Sequence, residues 1–145
     1  MIRFISAEQT LPLRSLVLRN GFPEAECMFD HDTLPTTFHL GYYNEEIELT
    51  CILTCMKENH GKLPKDAYRL RGMATHPDHR RKGYAAELLN ACISHLQNQL
   101  GIAYLWFNAR TIAFPFYEAL GFEFMSDEFD IPGIGPHREM FKYIG

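Results

Sequence analysis

The sequence predicts a single mixed α/β domain, and three observations carry that expectation. Apolar runs of strand length recur along the chain, a strongly amphipathic helix stands between two of them, and the composition supports a buried core. The 145 residues are 46% hydrophobic and 22% charged, which favours a packed globular fold over disorder. Net charge is −4 with a pI of about 5.9, so nothing global argues for nucleic acid. The opening MIRFISAEQTLPLRS has no apolar run long enough for a signal peptide or a membrane span, so the expectation is a cytoplasmic protein with no membrane partner. Four cysteines (Cys27, Cys51, Cys55, Cys92) form no CxxC pair, which argues against structural zinc and for buried reduced thiols.

In chain order, Ile2 to Ile5 reads as a short strand. TLPLRSLVLRNG then reads as a helix, with Thr10 as N-cap, Pro12 in the first turn and Gly21 past the end. Phe22 to Pro35 shows no clean period and reads as a long loop. Thr36 to Tyr43 and Ile47 to Met56 flank Asn44-Glu45-Glu46 and predict an antiparallel hairpin, with Ile47, Leu49, Cys51, Leu53 and Cys55 on one face. Tyr68 to Thr75 is the next strand, stopped by His76-Pro77. Ala85, Leu88, Leu89, Cys92, Ile93 and Leu96 recur at helical spacing, and Gly101 marks the helix stop. IAYLWFN follows as a strand apolar enough to be buried on both faces and paired in parallel, completing a strand–helix–strand unit. TIAFPFYEALGF gives a short helix from about Phe114 to before Gly121. Phe122 to Ser126 and Arg138 to Ile144 read as the last strands, joined by a loop with Pro132, Gly133, Gly135 and Pro136.

The segment HPDHRRKGYAAELL, His76 to Leu89, carries the most chemistry. A loop of free amides feeding a helix N-terminus makes an anion site, because the first N–H groups are unpaired and the helix dipole adds partial positive charge. Gly83 lets a diphosphate approach the backbone, and Arg80, Arg81 and Lys82 add charge. On the short pattern alone, a solvated basic turn explains the same residues.

Arg80-x-x-Gly83-x-Ala85 resembles the Arg/Gln-x-x-Gly-x-Gly/Ala signature of the GNAT superfamily of acyl-CoA-dependent N-acetyltransferases. The strand ending in MATHP before it, the long helix after it, the buried strand and then FYEALGF resemble the family in the same order. The resemblance implies a GNAT fold: a mixed, mostly antiparallel sheet, flanked by helices, whose central parallel strand pair splays apart to hold CoA. It implies acetyl-CoA as co-substrate and no metal, with the diphosphate on the amides from Arg81 through Lys82, Gly83, Tyr84 and Ala85 to Ala86. The pantetheine arm would run along Met73, Ala74 and Thr75 like an added strand.

Tyr117 in FYEALGF occupies the place of the family's general acid, which protonates the CoA sulfur as thiolate leaves. A core aromatic with a wet hydroxyl is the other reading of that residue. The oxyanion donor implied is a backbone N–H, that of Met73 on the strand edge. Two positions depart from the family pattern. YRLRGMAT offers no glutamate as base, leaving His39, Glu48 and His137 as unassigned alternatives. Arg110 stands where relatives carry asparagine, with Asn108 two residues earlier; Arg110 would bind CoA phosphates or cap a helix.

LPLRSLVLR, FHLGYYNEE and GIGPHREM resemble one branch of the family and extend the resemblance over nearly the whole chain, without naming an acceptor. Arg14, Arg19, Phe29, Asp30, Asp32 and His137 are candidates for the acceptor pocket, although such residues are commonly solvated. The acids from Glu24 to Asp32 hint at a cationic acceptor. The expected reaction is direct transfer of acetyl to a small-molecule amine or a protein amino group. A non-catalytic acyl-CoA-binding module of the same fold is the alternative. The first strand–helix turn carries no G-x-G-x-x-G, which disfavours a dinucleotide enzyme. A homodimer through sheet edges is compatible with the family.

Overall fold

The computed structural model describes residues 1–145. Its strands are β1 (Ile2–Ile5), β2 (Phe38–Tyr43), β3 (Leu49–Lys57), β4 (Ala67–Thr75), β5 (Tyr104–Arg110), β6 (Glu123–Phe124), β7 (Phe129–Ile131) and β8 (Gly135–Tyr143). Its α-helices are α1 (Ala7–Leu13), α2 (Tyr84–Asn98) and α3 (Phe114–Ala119). The strands form one sheet in the order β1-β2-β3-β4-β5-β8-β6, with β7 also pairing β8. Every pair is antiparallel except β4 with β5.

The expected helical period places α2 as read: Leu88, Leu89, Cys92 and Leu96 are fully buried, packed in one cluster with Leu53, Leu70, Leu105 and Phe107. Each leucine buried there contributes about 1.5–3 kcal/mol. A second, smaller cluster of Leu13, Ile52 and Ala74 joins α1 to the opposite face of the sheet. Strand β3 is therefore covered on both sides, and Thr50 to Met56 are all buried. The expected one-faced set holds in part: Cys51, Leu53 and Cys55 share the α2-side cluster, whereas Leu49 packs with Ile52 on the α1 side. The supposed first member of that set, Ile47, lies in the turn at φ 62° and is 70% exposed. Asn44 shapes that turn, its side-chain carbonyl accepting from the amides of Glu46 and Glu48.

The first helix starts earlier than expected. Ser6, not Thr10, is the N-cap: its hydroxyl accepts from the Gln9 amide at 3.2 Å, while the Gln9 side chain accepts from the Ser6 amide at 2.8 Å. This reciprocal box satisfies two amides that an α-helix otherwise leaves open. Thr10 is instead buried, its hydroxyl donating to the Ala7 carbonyl at 2.6 Å. Pro12 cannot donate to the carbonyl four residues back. Shortly after it the chain widens into a π-turn over Arg14–Leu18, closed by the Arg19 amide on the Arg14 carbonyl at 3.1 Å. Gly21, at φ 78°, ends the run as expected.

The C-terminal third gains a strand. Within the expected loop, Phe129–Ile131 pairs with His137–Gly135, so Pro132 and Gly133 lie in a hairpin turn. The proline and glycine content had concealed a three-residue strand.

Candidate functional site

Strands β4 and β5 pair only at Ala67↔Tyr104, Tyr68↔Leu105 and Arg69↔Trp106. Beyond those pairs each strand is held from its outer side alone. β3 pairs β4 as far as Cys51↔Thr75, and β8 pairs β5 as far as Arg110↔His137. The inner edges part and leave backbone groups of Leu70 to Thr75 facing a gap. Thr54↔Arg71 and Ile52↔Ala74 are two residues apart on β3 and three apart on β4, so β4 bulges at Gly72-Met73.

Gly72 is required there twice over. Its φ is +61°, and an added Cβ would stand 2.8 Å from the Phe29 ring and 3.3 Å from Arg14 Nε. The gap opens into a cavity of about 370 Å³ whose lining includes Met73, Phe107, Asn108, Arg110 and Tyr117.

The two faces of the sheet meet at this gap. Leu70 and Phe107 point to the α2 side, whereas Arg71 points to the α1 side, its guanidinium 4.4 Å from the Phe29 ring centre. Tyr117 enters from α3, its ring 4.2 Å from that of Phe107, and its hydroxyl donates to Met73 Sδ at 3.9 Å. Burial pushes this phenol up to about 12, and Cys51 adds to the shift. Tyr117 is thus protonated at neutral pH, and its hydroxyl has only a weak sulfur acceptor at the bulge.

The segment after β4 has the expected open backbone. His76 accepts the Asp78 amide on Nδ1 at 3.1 Å and starts a single 3₁₀ turn, Pro77–His79. Arg81 and Gly83 then take positive φ, 63° and 81°, and no side chain caps α2. Arg80, Arg81, Lys82 and Gly83 are exposed. A Cβ on Gly83 would touch nothing within 4 Å, so backbone conformation alone calls for glycine. Tyr84 spends its ring on Tyr42, stacked at 4.2 Å, and Ala85 packs against the core beneath α2. What Tyr84, Ala85 and Ala86 present to a ligand is backbone.

Beneath the bulge lies a polar network that no periodic pattern announces. Arg14, wholly buried, donates to both oxygens of Asp32 at 2.7 and 3.0 Å, to the Cys27 carbonyl at 3.1 Å and to Thr54 Oγ1 at 2.7 Å. The Thr54 hydroxyl donates in turn to His39 Nδ1 at 2.7 Å, and His39 Nε2–H donates to the Asp32 carbonyl at 3.0 Å. Asp32 also accepts the Phe29 amide at 2.8 Å. Burial alone raises the Asp32 pKa. The hydrogen bonds from Arg14 and the Phe29 amide, with the charge of Arg14, outweigh that and leave it lowered.

Of the acceptor-pocket candidates, Arg19, Phe29 and His137 line the cavity. Arg14 and Asp32 instead bond each other beneath it, and Asp30 is exposed away from it. Of the three base candidates, His39 has both ring nitrogens engaged, and exposed Glu48 is held in the β2–β3 turn by Asn44. His137 lines the cavity, with Nδ1–H donating to the Gly135 carbonyl at 2.8 Å. Arg110 precedes a 3₁₀ turn, Thr111–Ala113, but its side chain makes no capping bond. Asn108 Oδ1 is buried with no partner, a cost a buried acceptor seldom bears without use. All four cysteines are buried free thiols. No group of three or more His, Cys, Asp or Glu side chains is placed to hold a metal, and no helix is long and apolar enough to cross a membrane.

A mixed sheet with one splayed parallel pair, a bulge at the splay and an uncapped helix facing it defines a class, and comparison with known proteins supplies the family. Residues 36–124 match the acetyltransferase (GNAT) domain model. The chain is 33% identical over 147 residues to the uncharacterized N-acetyltransferase YitI of Bacillus subtilis (strain 168), covering 99% of this chain and 95% of that protein. The chain belongs to the GNAT acetyltransferases. Among solved structures it resembles an aminoglycoside 6'-N-acetyltransferase complexed with coenzyme A, at TM-score 0.77 and 12% identity over 99% of this chain and 97% of that one. It also resembles a spermidine N-acetyltransferase SpeG chimera from Vibrio cholerae and hSSAT, at TM-score 0.75 and 15% identity over 99% and 96%. At such identities the likeness establishes the fold.

Proposed function

We propose that residues 1–145 act as one domain that moves acetyl from acetyl-CoA to an amine, by direct attack while both substrates are bound. The observation that carries the reading is the position of the Tyr117 hydroxyl, 3.9 Å from Met73 Sδ at the mouth of the β4–β5 gap. The donor's three parts each have a matching feature. The amides of Arg81 to Ala86 suit a diphosphate, because positive φ at Arg81 and Gly83 precedes an uncapped helix start. The unpaired edge at Met73, Ala74 and Thr75 suits an extended amide-bearing arm, and the orphaned Asn108 Oδ1 is an acceptor for an amide N–H beside it. Arg80, Arg81, Lys82 and Arg110 supply exposed positive charge for the phosphates. An aminoglycoside and a spermidine N-acetyltransferase of the same fold support an amine as acceptor.

Acetyl-CoA supplies an acetyl carbonyl activated by its thioester. The Met73 amide at the bulge stabilises negative charge on that carbonyl oxygen as the amine nitrogen attacks and the C–N bond forms. When the C–S bond breaks, Tyr117 gives its proton to the departing sulfur. The proton released by the nitrogen returns through solvent to the tyrosine oxygen, leaving an acetamide and free CoA thiol. No cysteine lines the cavity and all four are buried, which suits none of them to carry the acetyl group; burial also raises the Cys51 and Cys55 thiols.

Tyr117→Phe tests this assignment. Thiol release from acetyl-CoA should fall by about 10²-fold or more in kcat, with acetyl-CoA affinity by calorimetry unchanged. A phenylalanine variant with wild-type kcat would remove Tyr117 from the chemistry.

A further inference from the structure

The cavity carries a charge pattern opposite to that of the whole chain. The protein has net charge −4, yet Arg19, Arg69, Arg71 and Arg110 line the cavity and none of its 18 lining residues is an acid. The loop acids that hinted at a cationic acceptor do not face it. Asp32 is consumed by Arg14, while Glu24, Glu26 and Asp30 point to solvent.

The arginines fall into two groups along the gap. A donor anchored at Arg81 to Ala86 and running down Thr75 to Met73 brings its thioester to the bulge, so residues before the bulge lie beyond it. Arg71 and Arg69 are those residues, on the α1 face with Arg19 and Phe29, and the donor's phosphates lie at the opposite end. From Thr75 to Arg71 the strand spans about 13 Å at about 3.3 Å per residue. Arg110, exposed at the last position of β5, is the arginine that the proposed reading assigns to the donor phosphates.

Arg19 is exposed and has no polar partner, whereas Arg71 is the partly buried member of this group that lacks one. Its guanidinium lies over Phe29 at 4.4 Å and forms no hydrogen bond or ion pair within the chain. Stacking one face on a ring leaves the in-plane N–H edge free for a planar anion. Phe29 is itself fixed, with its amide on Asp32 and its ring 3.7 Å from the Arg14 guanidinium. Arg69 is partly committed, to Glu58 at 3.4 Å and to the Trp106 ring at 5.0 Å. Burial chiefly, then the nearby charge of Arg69 and Arg14, lowers the Arg71 pKa against the opposing influence of Glu58 and Asp32. Arg14 and Arg69 have acid partners, whereas Arg71 and Arg19 have none.

We infer that the acceptor is a small amine that itself carries an anionic group, carboxylate or phosphate, held by Arg71 with support from Arg19 and Arg69. The inference rests on the acetyltransferase reading above. A cavity of about 370 Å³, shared with the acetyl end of the donor, fits a compact acceptor. Bidentate contact with a free guanidinium orients such an acceptor, and a wall whose charged residues are all arginine repels a polyamine.

The test measures thiol release by the full chain with acetyl-CoA across matched amines. α-Amino acids are set against their carboxamides, phosphoethanolamine and amino-sugar phosphates against their unphosphorylated forms, and spermidine stands apart. At least one anionic series should exceed its neutral partners by tenfold or more in kcat/KM, and which series does so separates carboxylate from phosphate. Arg71→Gln should raise KM for the preferred acceptor by tenfold or more and bring the anionic-to-neutral ratio toward one. Arg71→Lys, which keeps the charge, should recover part of that loss. Equal rates for anionic and neutral partners, or preference for spermidine, overturns the inference and leaves the acetyltransferase reading standing. No thiol release with any amine overturns both.

Discussion

Asp32 shows how one residue's chemistry sets the shape of the site. Its carboxylate neutralises a guanidinium that has no exposure to water, and removing one member of such a pair strands the other, at a cost of about 3–5 kcal/mol. The pH dependence follows from the lowered folded-state pKa. The contribution is fully present above the ordinary value of 3.8 and is lost as pH falls through the lower folded value. Asp32→Asn should be less stable than wild type at pH 7 in urea unfolding, and its stability should fall less steeply as pH drops through 3.8. Parallel stability–pH curves for the two proteins would show that the pair does not carry this dependence. This pairing was not legible in the sequence. Arg14 and Asp32 are 18 residues apart across an aperiodic loop, so no spacing rule joins them. Both read as rim residues of a pocket, because charged side chains are seldom fully buried. The place of Tyr117 beside the gap was legible, because the aromatic segment around it resembles a family motif; its part in the chemistry is the proposal that Tyr117→Phe tests.

Among the elements, β4 does most to organise the site, through a defect at one residue. Gly72→Ala must adopt a left-handed backbone and push against Phe29, so we expect a loss of about 1–3 kcal/mol in chemical denaturation. A larger fractional loss of kcat/KM for the acceptor than for acetyl-CoA should accompany it, because the displaced ring lies on the side proposed for the acceptor. Wild-type stability in this variant would mean that the bulge relaxes at no cost. Elements with a strong period, such as α2, were legible to within a residue or two. Short or irregular ones were not. Ser6-x-x-Gln9 and Thr10-Leu-Pro12 are competing helix-start signals, and the reciprocal bonds of the former prevail. β7 has three residues, too few for an alternation to register. The extent of the β4–β5 splay is a matter of register, which one strand's sequence does not encode.

For the whole molecule, the order of elements supports the proposed donor site, since the only parallel pair is also the pair that separates. Binding there should stabilise the fold as a unit. At acetyl-CoA about 100-fold above its Kd, folded-state stability should rise by about 2.7 kcal/mol and the melting temperature by several degrees. A melting curve unmoved by saturating acetyl-CoA would remove the donor assignment.

The tie from Asp32 through Arg14 and Thr54 to His39 joins the long loop to strands β2 and β3 at the middle of the sheet. The part of the loop around Phe29 and Asp32 is therefore already ordered before any acceptor arrives. Recognition then draws on a wall that folding has already ordered, and the entropy of arranging Phe29 against Arg71 is spent before any substrate is present. On the proposed acceptor site, discrimination rests on the fit of charge and shape to that ordered wall, with no loop closure called for.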